Sequence, residues 1–262
     1  MNDIQSTKMP SDLFNPQFDG GSFFIPGSST GVLLFHGFTA TALEVRGLAE
    51  YLHDHLHCTI SAPLLPGHGT SPEILAGTKY LEWIEKAESA YLEMTRWCDQ
   101  IFIGGESMGG LLSLYLASRH PEIAGLMLFA PALIIPSMSK ARFFQYFFFS
   151  SPKKLTPTLP GYLPWQGYRV NPLKAVVELG RFQDIVMKEL PGIQQPMLVF
   201  QGLQDETIDI NSSRIIVNTV GSGVKDLVEL ENCGHCILLD NQREPVYKRA
   251  LSFIKSLPDP NE

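Results

Sequence analysis

Six short apolar runs alternate with helical stretches along the chain, and that order leaves few architectures open. GVLLFHG (31–37), CTISAPL (58–64), QIFIGGE (100–106), IAGLMLFAP (123–131), PMLVFQG (196–202) and KDLVEL (225–230) are rich in apolar residues, and most show no strict polar/apolar alternation. That is the pattern of strands covered on both faces. Between them ALEVRGLAEYLHDHL, TKYLEWIEKAESAYLEMTRW, SMGGLLSLYLASRH, INSSRIIVNTV and REPVYKRALSFIKSL carry helical spacing. Strand and helix in turn predict an α/β fold, a mostly parallel central sheet flanked by helices. The order breaks once, over residues 132–195, where no strand is predicted. We read 1–131 and 196–262 as one core, and 132–195 as an insertion into it.

In such a sheet ligands meet the loops at the carboxyl ends of the strands, so the reactive side chains in those loops come first. GGESMGG places Gly105-Glu106-Ser107-Met108-Gly109 between a strand and a helix, a G-x-S-x-G pattern. A serine there sits on a sharp, strained turn, and side chains at the glycine positions would collide with the neighbouring strand and helix. A serine hydroxyl is a poor nucleophile until a base takes its proton, so a histidine held by a carboxylate is expected downstream. His235, in ENCGHCILLD just past the last strand, fits the base. Asp205, in the turn LQDETID after PMLVFQG, fits the carboxylate; Asp209 competes, but its place near the next helix suits capping. An oxyanion hole needs backbone N–H groups, for which Met108 follows the nucleophile and Phe38 follows the strand GVLLFHG. The ring of Phe38 is then free to line an acyl site.

The remaining histidines read more plainly. His36 ends a strand, His53, His55 and His57 belong to a helix end, His120 precedes Pro121, and His68 in LPGHGTSP is a bracing loop residue. Cys233 and Cys236 have C-x-x-C spacing, but no second pair completes a zinc site and the thioredoxin context is missing, so no metal is expected.

With GVLLFHGFTATALEVRGLAEYL, APLLPGHGTSPE, GGESMGG, LVFQGLQDETID and CGHCILLD in hand, the chain resembles the α/β-hydrolase superfamily, and within it the bacterial carboxylesterase and monoacylglycerol lipase group. The resemblance implies ester hydrolysis through an acyl-enzyme on Ser107, Asp205 and His235, no cofactor, and a helical cap. It leaves open a thioesterase, acyltransferase or carbon–carbon bond hydrolase on the same scaffold, or a binding protein that retains a triad. Two departures stand out: Glu106 occupies a position that is apolar in many of the group, and two cysteines flank His235.

The cap carries ARFFQYFFFS (141–150), an aromatic ring at every position from Phe143 to Phe149 except Gln145. Phe143, Phe144, Phe147 and Phe148 recur at helical spacing, so we expect one face to turn toward Ser107 and fill the space an acyl chain uses. The partner is therefore expected to be a small-molecule or lipid ester. A net charge of -7 argues against nucleic acid. The aromatic run is far short of the ~20 residues that span a bilayer, and Arg142, Lys153 and Lys154 bracket it. A polar N-terminal stretch without an apolar core, and only four cysteines, make the cytoplasm the expected compartment.

Overall fold

The computed structural model describes residues 12–153 and 160–258, so the N-terminal residues 1–11 and Lys154 lie outside the described residues. In chain order, β1 (Leu13–Phe14), β2 (Phe23–Ile25) and β3 (Ser28–Phe35) lead into α1 (Leu43–Leu56), β4 (Cys58–Ala62), α2 (Pro72–Gly77) and α3 (Tyr80–Met94). Next come β5 (Gln100–Glu106), α4 (Met108–Arg119) and β6 (Gly125–Phe129). The segment read as a cap holds α5 (Met138–Phe144), β7 (Ser150–Pro152), β8 (Gly167–Tyr168), β9 (Val170–Pro172) and α6 (Leu173–Glu189). The chain then closes with β10 (Met197–Gly202), α7 (Ser212–Thr219), β11 (Lys225–Leu230) and α8 (Arg243–Ser256).

Seven strands form the central sheet in the order β11-β10-β6-β5-β3-β4-β2. All neighbours are parallel except β2, which runs antiparallel along the β4 edge. The six predicted strands are all present. The seventh, Phe23-Phe24-Ile25, escapes sequence reading because three residues between glycines and Pro26 make no pattern. Every residue of β5 is buried, as are Val32–Phe35 of β3 and all of β10, which is why these runs carry no polar face. The edge strand β11 is only partly covered, with Lys225 and Glu229 exposed. One row of register partners crosses the sheet as Phe35, Gly105, Leu128, Val199 and Leu227, so five parallel strands end on one side at nearly the same level.

The segment 132–195 departs from a uniform cap. Helix α4 is apolar nearly all round, and a helix of that kind must be covered on its outer side as well as by the sheet. Helix α6 supplies part of the cover. Its Phe182 is fully buried, with ring centroids 6.3 Å from Tyr80 on α3 and 5.9 Å from Tyr115 on α4, and Ala175, Leu179 and Val186 join the common core. Burying one such phenylalanine stabilises by about 1.5–3 kcal/mol. The strands unforeseen in this segment, β7, β8 and β9, have two or three residues each, β8 pairing with β1 and β7 with β9, too short to leave a period.

Candidate active site

Ser107 joins β5 to α4 with φ 57° and ψ −111°, a conformation costly for any residue with a side chain. The surroundings impose it. Its N–H donates to the Phe129 carbonyl at 2.9 Å, and its own carbonyl accepts N–H groups of Gly110 and Ala132, both at 3.1 Å. A Cβ on Gly105 would strike Gly109 and the Phe35 carbonyl, and one on Gly109 would strike the Phe35 carbonyl directly. The two glycines let β3, β5 and α4 approach closely enough to present the serine.

His235 and Asp205 meet it there. The Nε2 atom of His235 lies 3.0 Å from Ser107 Oγ, and its Nδ1 lies 2.7 Å from Asp205 Oδ2. Asp205 Oδ1 accepts the N–H groups of Thr207 at 2.8 Å and Ile208 at 3.1 Å. Burial opposes the Asp205 charge, but these hydrogen bonds and the nearby His235 outweigh it and hold the carboxyl below its usual range. An ionised Asp205 can only accept, so Nδ1 of His235 carries the proton and Nε2 is left to accept from the serine hydroxyl. Asp209, the competing carboxylate, turns instead to the N–H and side-chain amide of Asn211, before α7.

Phe38 and Met108 lie on the same side of the sheet, after β3 and β5. As the first residue of α4, Met108 has an N–H without an intrahelical acceptor. The N–H of Phe38 has no backbone acceptor among the described residues. The Phe38 ring packs edge-on to His68 and Trp83, both with centroids at 6.1 Å. His36 and His68 brace this loop. His36 accepts the Leu65 N–H on Nε2 and donates from Nδ1 to the Gly37 carbonyl, and burial brings its pKa down to about 4, so it stays neutral. His68 stands 4.9 Å away, edge-on, and is likewise held neutral by burial.

Two fully enclosed carboxyls flank the site. Glu106 Oε1 accepts the Leu238 N–H at 3.3 Å, while Oε2 has no partner among the described residues. Burial, then the charge of Glu44, drives Glu106 well above the usual carboxyl range. Glu44, which sequence reading did not single out, is raised by burial against the pull of the Gly37 N–H, Lys153 and His235. Cys233 and Cys236 are unpaired, and burial pushes both thiols up, so neither is a thiolate near neutral pH. No cluster of metal-binding side chains occurs among the described residues.

The aromatic rings differ from expectation. Phe143, Phe144, Phe147 and Phe148 are 62%, 41%, 69% and 59% exposed, and α5 ends at Phe144. Their ring contacts are with one another, Phe143 with Phe144 and Phe147, and Phe144 with Phe148. They form an open apolar surface and fill no enclosed space.

Comparison with known proteins follows the same line. A family model described as alpha/beta hydrolase fold matches residues 31–164. The chain is 31% identical to a thermostable monoacylglycerol lipase of Bacillus sp. (strain H-257), over 88% of this chain and 92% of that protein. It is also 31% identical to a carboxylesterase of Bacillus subtilis (strain 168), over 90% and 96%. Among solved structures, one described with LipS and LipT, two metagenome-derived lipolytic enzymes, superposes with a TM-score of 0.85 at 31% identity, covering 90% of this chain and 98% of that one. The Paleococcus ferrophilus monoacylglycerol lipase, at 20% identity and a TM-score of 0.74, shares the fold.

Proposed function

The chain belongs to the alpha/beta hydrolase fold family, and from that premise we propose that it is a serine carboxylic-ester hydrolase of the carboxylesterase and monoacylglycerol lipase type. The observation that carries the reading is the relay from Asp205 through His235 to Ser107, at 2.7 and 3.0 Å. His235 Nε2 takes the Ser107 proton as Oγ attacks the ester carbonyl, and Asp205 stabilises the imidazolium that forms. Negative charge gathers on the former carbonyl oxygen, where the N–H groups of Phe38 and Met108 receive it. The imidazolium returns its proton to the departing alcohol, leaving an acyl group on Ser107. Water then attacks the acyl carbon while His235 takes its proton. Collapse of the second tetrahedral intermediate releases the acid and restores the serine.

The cap in this reading is 132–172, with α6 assigned to the core. Its exposed rings offer an acyl chain a surface to lie on, and Phe38 lines the end nearest the nucleophile. Among the described residues no helix is long and apolar enough to cross a membrane. Unpaired cysteines, three of them buried, favour a reducing compartment, the cytoplasm. The test is turnover of p-nitrophenyl esters and of 1-monoacylglycerol, read as p-nitrophenol and glycerol release beside a thioester series. Sustained ester turnover with little thioester activity is expected. A single burst without turnover would indicate a binding protein, and faster thioester cleavage a thioesterase.

A further inference from the structure

The loop after β3 depends on a side chain that the catalytic reading does not use. Gly37 lies beside Ser107, and a Cβ there would stand 3.0 Å from Glu44 Oε2 and 3.2 Å from Ser107 Cβ. Glycine fits this gap but brings conformational freedom to the peptide that must be fixed. The two peptides that meet at Gly37 are both held. The Gly37 carbonyl accepts from the His36 ring at 2.9 Å and from the Ala40 N–H at 3.2 Å; peptide planarity makes the Phe38 N–H point the opposite way. The Gly37 N–H donates to Glu44 Oε2 at 2.6 Å. The other oxygen of Glu44 accepts the indole N–H of Trp165 at 3.1 Å, and Trp165 belongs to the cap segment.

More contacts stitch this segment to the same loop. The Tyr168 N–H donates to the Thr39 carbonyl at 2.9 Å, and the Thr41 hydroxyl donates to Gln166 Oε1 at 2.8 Å. Lys153 donates to the Thr39 hydroxyl at 2.8 Å while its ammonium sits 4.1 Å from the centroid of the Trp165 ring. A carboxylate suits the centre of this arrangement because both oxygens accept. A glutamine there would accept at one position and oppose an N–H with its own NH2 at the other.

We infer that Glu44 is a positioning residue of the oxyanion hole: one oxygen fixes Gly37 so that the Phe38 N–H keeps its aim, and the other ties that fixation to the seated cap through Trp165. The inference rests on the reading of Phe38 as an oxyanion donor.

The test compares Glu44→Gln, Trp165→Phe and the double variant in the full chain, by kcat and KM for p-nitrophenyl butyrate, inhibition by butylboronic acid, and thermal melting. Removing an oxyanion donor outright costs on the order of 10²–10³-fold in kcat, so loosening its support should cost on the order of 10-fold to 100-fold. KM should stay within about twofold, since the ground-state carbonyl gains little from the donor. Butylboronic acid, which mimics the tetrahedral state, should weaken in step with kcat. The double variant should be no worse than the poorer single one, because both break one connection. Unchanged kcat in Glu44→Gln, a loss confined to KM, or multiplicative losses in the double variant would overturn the inference. Trp165→Phe keeps an aromatic ring in this place and removes the indole N–H, so it carries the test if Glu44→Gln does not fold. In the unmodified protein, butylboronic acid binding no tighter than butanol would instead defeat the oxyanion reading itself.

Discussion

Glu106 shows how far one side chain's titration reaches. Enclosed next to the nucleophile, with burial and the Glu44 charge both opposing its ionisation, it keeps a proton that the unfolded chain gives up above the ordinary value of 4.5. The folded pKa is raised, so Glu106 does not erode stability below 4.5 and progressively does so as pH climbs toward the folded value. Glu106→Gln removes that dependence while leaving an oxygen able to accept the Leu238 N–H. Thermal melts at about pH 5 and about pH 8 should therefore show the variant gaining on the unmodified protein at the higher pH. A constant difference across that interval would mean that Glu106 ionises as an ordinary carboxyl. At this scale Ser107, Asp205 and His235 were legible in the sequence because each sits in a turn just after a predicted strand. Glu44, Lys153 and Trp165 were not. Glu44 reads as an acid in the first turn of a helix, its usual exposed place, and only the tertiary structure shows it buried and paired with Gly37 and Trp165.

Among the elements, α6 and the aromatic stretch lie close in sequence and differ in energetics. Phe182 is anchored between α3 and α4, so Phe182→Ala should cost about 3–5 kcal/mol, the price of a cavity in a shared core. Phe147 is 69% exposed, and Phe147→Ala should change stability by less than ~0.5 kcal/mol. Denaturant unfolding of the two variants measures both; similar losses would show that α6 is no more part of the core than the rings are. If the open rings contact long acyl chains, Phe143→Ala and Phe147→Ala should lower kcat/KM for a dodecanoyl ester relative to a butyryl ester. An unchanged ratio would remove these rings from the substrate path. The sequence already held the reason for α6, since SMGGLLSLYLASRH shows almost no polar face and therefore needs a second cover. For the aromatic rings, helical spacing specifies a face without specifying what it meets.

At the scale of the whole molecule, parallel register brings the site together. Ser107 and His235 are 128 positions apart and Asp205 and His235 are 30 apart, yet the loops after β3, β5, β10 and β11 leave the sheet on one side. A mostly parallel sheet could be argued from the alternation of strand and helix, because buried parallel strands are apolar throughout, and the chemistry then followed from the ends of those strands. The short ribbons β1 with β8 and β7 with β9, and the antiparallel edge strand β2, had no such signal, being stabilised by what they pair with. The central claim is that this convergence makes Ser107 the acylated residue. It is tested by treating the protein and Ser107→Ala with an alkyl fluorophosphonate, mapping the adduct by mass spectrometry, and following p-nitrophenyl butyrate turnover in the same samples. The account predicts one adduct, on Ser107, with loss of turnover, and an alanine variant that is unlabelled and slower by at least about 10³-fold. An adduct on another serine, or near-native turnover in Ser107→Ala, would contradict it.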